Sequence, residues 1–120
     1  MSVWGGESIH DAVRSVGKNV APPNRAVKFT VDLAAARTDK SLMDEGLLPS
    51  GKTFLYLTVL QVGSGVWTVK LVFDDFSTLA YDVSELHDGY LMVRRFVDLL
   101  FTNMSQPSVT NPKLLVEWNE

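Results

Sequence analysis

The stretch from Thr53 to Phe73 constrains the fold of this chain more than any other. It runs Thr53-Phe54-Leu55-Tyr56-Leu57-Thr58-Val59-Leu60-Gln61-Val62, then Gly63-Ser64-Gly65, then Val66-Trp67-Thr68-Val69-Lys70-Leu71-Val72-Phe73. Both arms are rich in aromatic and β-branched residues, which suit a pleated, half-buried surface. A short Gly-flanked loop between such arms predicts a β-hairpin. In the second arm Trp67, Val69, Leu71 and Phe73 point one way, and Val66, Thr68, Lys70 and Val72 the other. The first arm is apolar on both faces, with Leu55, Leu57 and Val59 against Phe54, Tyr56 and Leu60. A strand without a polar face must be covered on both sides, by its own domain or by a neighbouring molecule.

The rest of the chain reads as further strands. Val27, Phe29, Val31 and Leu33 alternate with Lys28, Thr30 and Asp32, predicting a half-buried strand from Arg25 to Leu33. Residues 34–52 form a long connection with Gly46, Pro49 and Gly51. Within it Leu42, Met43, Leu47 and Leu48 are too apolar for a loop that meets only water. Either they make a contact element or they plug one open end of the fold. After the hairpin, Asp74-Asp75 predicts a tight turn by side-chain-to-backbone bonding. Leu79, Tyr81 and Val83 alternate with Thr78, Ala80 and Asp82 in another strand, and residues 84–89 make a polar turn. Tyr90 to Asn103 fits a strand pair and also a helix with Met92, Phe96 and Leu100 spaced by four. Its all-β surroundings and β-branched content favour strands. A turn-rich loop leads to a closing strand, Lys113 to Trp118, with Leu114, Val116 and Trp118 inward and Lys113 and Glu117 outward. About seven short strands between turn signals predict an all-β, single-domain β-sandwich or jelly roll over residues 25–120.

Residues 1–24 read as an N-terminal arm. Ser8 and Asp11 suggest a weak capping box, and Ile9, Val13 and Val16 share one face of a short helix. Gly17 suits its end, and Pro22-Pro23 imposes an extended approach to the first strand. So short a helix is marginal alone in water. The arm therefore folds back on its own domain, docks on a neighbour or stays mobile.

Composition narrows the function classes. With 120 residues, 46% hydrophobic and 21% charged, the chain is one folded domain with a core of its own. A net charge of −3 gives no electrostatic reason to bind nucleic acid or an anionic membrane. Cysteine is absent, which removes disulfides, thiolate metal sites and cysteine nucleophiles together. The start of the sequence lacks the basic and apolar runs of a signal peptide, and no stretch nears the roughly 18 apolar residues of a membrane helix. The expectation is a soluble product of the cytoplasm.

Residues with chemical potential do not assemble into a reactive set. Asp82, Glu85, His87 and Asp88 include oxygen and nitrogen ligands, but their spacing matches neither a calcium loop nor a zinc signature, and a solvated turn explains them better. His10 lies far in sequence from any partner, and no nucleophile-elbow motif is present. Gly63-Ser64-Gly65 joins two strands, so it reads as turn chemistry and not a phosphate cradle. In a strand, Arg94 and Arg95 face opposite sides, which argues against a phosphate patch. No catalytic, cofactor-binding or metal-binding residue is therefore assigned. The aromatics remain: Trp67 and Trp118 read as core, whereas Trp4 and Tyr56 are candidates for contact between subunits. With Ile9, Val13, Leu42, Met43, Leu47, Leu48 and Phe54 they make up the expected interface.

Three stretches together resemble small virion proteins of tailed bacteriophages. Val31-Asp32-Leu33-Ala34-Ala35-Ala36-Arg37-Thr38-Asp39-Lys40 is similar to their "DL..AR" segment, and Thr53 to Phe73 takes the place of their central hairpin. Phe96-Val97-Asp98-Leu99-Leu100-Phe101-Thr102-Asn103, then Gln106-Pro107 and Lys113-Leu114-Leu115-Val116, resembles their closing "F..L..TN..QPGK.L.LL" pattern. The chain departs from it at Ser108, where the pattern has Gly, and inserts Val109-Thr110-Asn111-Pro112 before Lys113. The resemblance implies a β-sandwich structural protein of the capsid cement or decoration type, without catalytic residues or cofactor. It implies a virion protein on the capsid surface that dimerises or trimerises and bridges subunits of the major capsid protein, with no small-molecule substrate. The alternative is a jelly-roll module binding a receptor or carbohydrate at a phage tail; a cupin-like enzyme would need a cluster of histidines that the sequence lacks.

Overall fold

The computed structural model describes residues 22–120, so the expected arm helix and Trp4, Ile9 and Val13 lie outside the described residues. The described chain forms β1 (Arg25–Thr30), β2 (Arg37–Ser41), β3 (Phe54–Gln61), β4 (Thr68–Phe73), β5 (Thr78–Asp82), β6 (Tyr90–Asn103) and β7 (Lys113–Trp118). A single 3-10 turn, Val83–Glu85, interrupts them. Every pairing is antiparallel. The strands make one sheet in the order β1-β7-β3-β6-β4-β5, with β2 also paired to β6. The all-β single domain is as expected, and its strands are joined in one antiparallel sheet.

The 14-residue β6 is what joins the two halves of that sheet. Its first part pairs with β3, from Tyr90↔Val59 to Phe96↔Phe54. Its second part pairs with β4, from Phe96↔Phe73 to Thr102↔Thr68, and takes β2 on its other edge. Register irregularities fall beside Phe96 in both ladders. Bulges of this kind bend a strand and increase its twist, which lets one strand serve two differently oriented ladders. Residues 90–103 are thus neither a helix nor a strand pair but one long strand.

The expected central hairpin is corrected. β3 and β4 do not pair with each other; β6 lies between them. The Gly63-Ser64-Gly65 loop crosses from one half of the sheet to the other and is fastened on the way. The Ser64 amide donates to the Thr110 carbonyl, and the Thr110 amide donates back to Ser64 Oγ at 2.8 Å. Gly63 has φ +82° and sits against the Thr110 carbonyl, so a Cβ there would collide with backbone. Glycine is needed here for close approach and a left-handed backbone, not for a two-residue turn. β3 is consequently an interior strand, with β7 on one side and β6 on the other. Phe54, Leu57 and Val59 enter the core; Tyr56, on the opposite side of β3 from Leu57, is only 6% exposed. The apolar character of these side chains needs no neighbouring molecule to explain it.

One core serves both halves. Phe54 packs against Phe96 and Trp118, each at 5.3 Å between ring centroids, and Trp67 stacks on Phe101 at 5.0 Å. The inward set of the second arm, Trp67, Val69, Leu71 and Phe73, is buried as its alternation predicts. β5 is a strand as expected and lies at the edge of the sheet; Tyr81 packs against the core, while Leu79 reaches solvent.

The hairpin that does form links β4 to β5 through Asp74–Ser77. The Phe73 amide donates to the Ser77 carbonyl and the Phe76 amide to the Phe73 carbonyl. Asp75 Oδ1 accepts from the Ser77 amide at 3.0 Å and the Ser77 hydroxyl at 2.6 Å. The hydroxyl bond first, and the amide bond next, hold the Asp75 carboxyl below its ordinary value. A depressed carboxyl adds stability above its unfolded pKa and loses it as pH falls through the folded value. We expect the Ser77 amide resonance to titrate at that lowered pH, and Asp75→Asn to abolish the transition. A Ser77 shift tracking an ordinary carboxyl would contradict the turn geometry.

Candidate functional site

Two segments far apart in sequence meet at the outer end of the second half-sheet. The bend after β1 carries Asp32, Leu33 and Ala35, and β2 begins at Arg37. β6 ends at Asn103, followed by Met104, Ser105 and Gln106. The pairing Arg37↔Asn103 brings them together.

Arg37 is the centre of this cluster. Its guanidinium grips Glu45 as a fork, Nε to Oε2 at 2.7 Å and Nη2 to Oε1 at 3.2 Å. Nη1 donates to the carbonyls of Asp32 and Ala35 and to Asn103 Oδ1. The side chain is 7% exposed, so these bonds form largely out of water, where they hold geometry best. Asn103 Nδ2 donates to the carbonyls of Leu33, Ala35 and Met104. Gln106 clamps Val66, accepting from its amide at 2.8 Å and donating to its carbonyl at 2.8 Å. The Ser105 hydroxyl donates to the Ala34 carbonyl. Four loop segments are thereby fixed around a cleft of about 820 Å³. Val66, Trp67 and Met104 give it an apolar lining beside Arg37, Asn103 and Gln106. Val66 and Met104 are 69% and 79% exposed, whereas Trp67 is buried and donates from Nε1 to the Val62 carbonyl.

The expected interface residues are distributed differently. Leu42, Leu48 and Phe54 belong to the core, and Met43 and Leu47 pack against it half-buried. Of the two readings of the 34–52 loop, the packing matches the plug. Asp98 secures that plug: it accepts from the Ser41 hydroxyl, the Met43 amide and the Leu99 amide. Nothing in the alternation of residues 90–103 singles out Asp98 for this role. Buried in one subunit, Leu42, Leu48, Phe54 and Tyr56 offer little surface to another.

The acidic turn is occupied with its own backbone. Asp82 caps the 3-10 turn, Glu85 accepts from the Asp82 amide, and Asp88 accepts from the Val62 amide at 2.8 Å. His87 meets the edge of Tyr90. Among the described residues no three His, Cys, Asp or Glu side chains gather as a metal-holding group, and no helix is long and apolar enough to cross a membrane. Asn103, within the glycosylation-like Asn103-Met104-Ser105, is buried with its amide engaged. Arg94 and Arg95 both reach solvent at the β6 irregularity; Arg94 lies over the Phe73 ring and Arg95 pairs with Asp74.

Compared with family models, curated proteins and solved structures, the chain matches none of them.

Proposed function

We propose that this chain is a non-enzymatic structural subunit of a tailed-phage virion. On this reading it is a cement or decoration protein that self-associates and bridges major capsid protein subunits at the shell surface. The observation that carries the reading is what the two resemblance motifs do with their polar groups. Asn103 and Gln106 bond mainly to the backbone of neighbouring loops, and Arg37 joins two of their carbonyls to Glu45 and Asn103, so together they set the shape of a surface. That surface presents Val66 and Met104 to solvent. Apolar side chains held outward on fixed loops suit burial against protein. The carboxylates best placed for acid–base work, Asp82, Glu85, Asp88 and Asp98, instead accept bonds from nearby amides. A carbohydrate module commonly stacks sugars on tryptophan, yet the two described tryptophans, Trp67 and Trp118, are 1% and 6% exposed. Many weak contacts repeated over a shell give strong attachment by effective concentration.

Light scattering of the purified chain, with co-sedimentation on capsid shells stripped of it, tests the reading. The expected results are a dimer or trimer and saturable shell binding, through contacts of at least about 1,000 Å². A monomer that leaves the shells in the supernatant would overturn it.

A further inference from the structure

We infer that the β4–β5 turn is a docking knob for a second copy of this chain, with Phe76 seated in that copy's cleft beside Val66, Trp67 and Met104. The inference rests on the self-association proposed above and supplies its geometry. Phe76 is 80% exposed, more than any other large apolar side chain among the described residues. It also has φ +68°, the left-handed region where a bulky side chain is strained and glycine is at ease. Folding alone is served better by glycine at this position. The turn nevertheless fixes the backbone of Phe76, through the Phe73–Ser77 and Phe73–Phe76 backbone bonds and the Asp75–Ser77 pair. With the backbone already set, docking costs only the freedom of the side chain.

The cleft on the same molecule complements the knob. Its volume of about 820 Å³ exceeds what one aromatic ring needs, and its exposed Val66 and Met104 would be covered by the ring. Asp74 and Asp75 precede Phe76, while the cleft lining includes Arg37 and no carboxylate, and the nearby Glu45 and Asp39 are paired with Arg37 and Lys70. Phe76 cannot reach the cleft of its own chain. Knob and cleft lie at opposite ends of the six-residue β4, and five steps at roughly 3.4 Å separate them by about 17 Å. Knob into cleft is a head-to-tail contact, which closes into a ring or extends as a row.

Sedimentation velocity on the full chain, Phe76→Gly, Met104→Glu and an equimolar mixture of the two variants tests this. The wild type is expected to associate, and each variant alone to do so at least tenfold more weakly. Thermal melting controls for folding: Phe76→Gly should melt at the wild-type temperature or above, because it relieves a strained backbone. Mixing should restore heterodimers, since one variant keeps the cleft and the other the knob. A wild-type oligomer that persists in Phe76→Gly, or variants that fail to complement, would overturn the inference and leave the proposed function standing. A wild type that stays monomeric at every concentration would overturn the inference, and the proposed function with it if the chain also leaves the shells in the supernatant.

Discussion

Phe54→Ala is expected to lower unfolding free energy by about 3–5 kcal/mol, the usual cost of deleting a buried phenyl ring. Phe54 is fully buried and sits where β3, β6 and β7 converge, facing Phe96 on one side and the edge of Trp118 on the other. Neighbouring rings cannot close the void without moving strands that are hydrogen-bonded across the whole sheet. A domain of this size is stable by only about 5–15 kcal/mol, so the variant should lose about a third or more of a typical total. Urea titration measures the loss, and half-buried Leu55→Ala is the control with a clearly smaller effect. A loss below about 1 kcal/mol for Phe54→Ala would mean that the ring does not pack as described.

Arg37→Ala should cost about 3 kcal/mol, the lower end of what breaking a buried ion pair costs. The lower end applies because the Glu45 side chain keeps 20% of its surface in water. The loss has a second part: the Asp32 and Ala35 carbonyls and Asn103 Oδ1 forfeit a donor together. Arg37→Lys keeps the charge but not the planar fork, so it should recover only part of the loss. The pair Arg95–Asp74 is the contrast, with side chains 66% and 49% exposed. Breaking it should cost less than about 1 kcal/mol, and added salt should erase the difference. Equal losses at the two pairs, read by chemical denaturation, would remove Arg37 from its central place.

Alternation made much of this fold legible. β4 and β7 stand where their period-two patterns lie, whereas β1 stops at Thr30, short of the expected Leu33, and Glu117, expected outward on β7, is buried between neighbouring strands. Pairing was not legible in the same way. A glycine loop between two apolar arms signals a local hairpin, but the partner that separates them, β6, lies about thirty residues further along. Strict alternation also groups Phe54 with Tyr56, whereas the irregularity opposite β6 puts Phe54 with Leu57 and Val59 in the core. Hence the expected interface at Phe54 became interior packing. The residues of the cleft were visible as two motifs, yet their meeting depends on Arg37↔Asn103, a long-range register that spacing cannot encode. Phe76 left one faint trace, a large aromatic between Asp75 and Ser77 in a turn where small residues are usual.

β6 has a mechanical consequence. Because its hydrogen bonds serve β3 at one end and β4 at the other, β6 ties the two halves of the sheet to one strand. Melting in a single step is the expected result. A load arriving at the β5 edge passes through this one spine to β1 on the far side, as tension in a tie-bar crosses a frame.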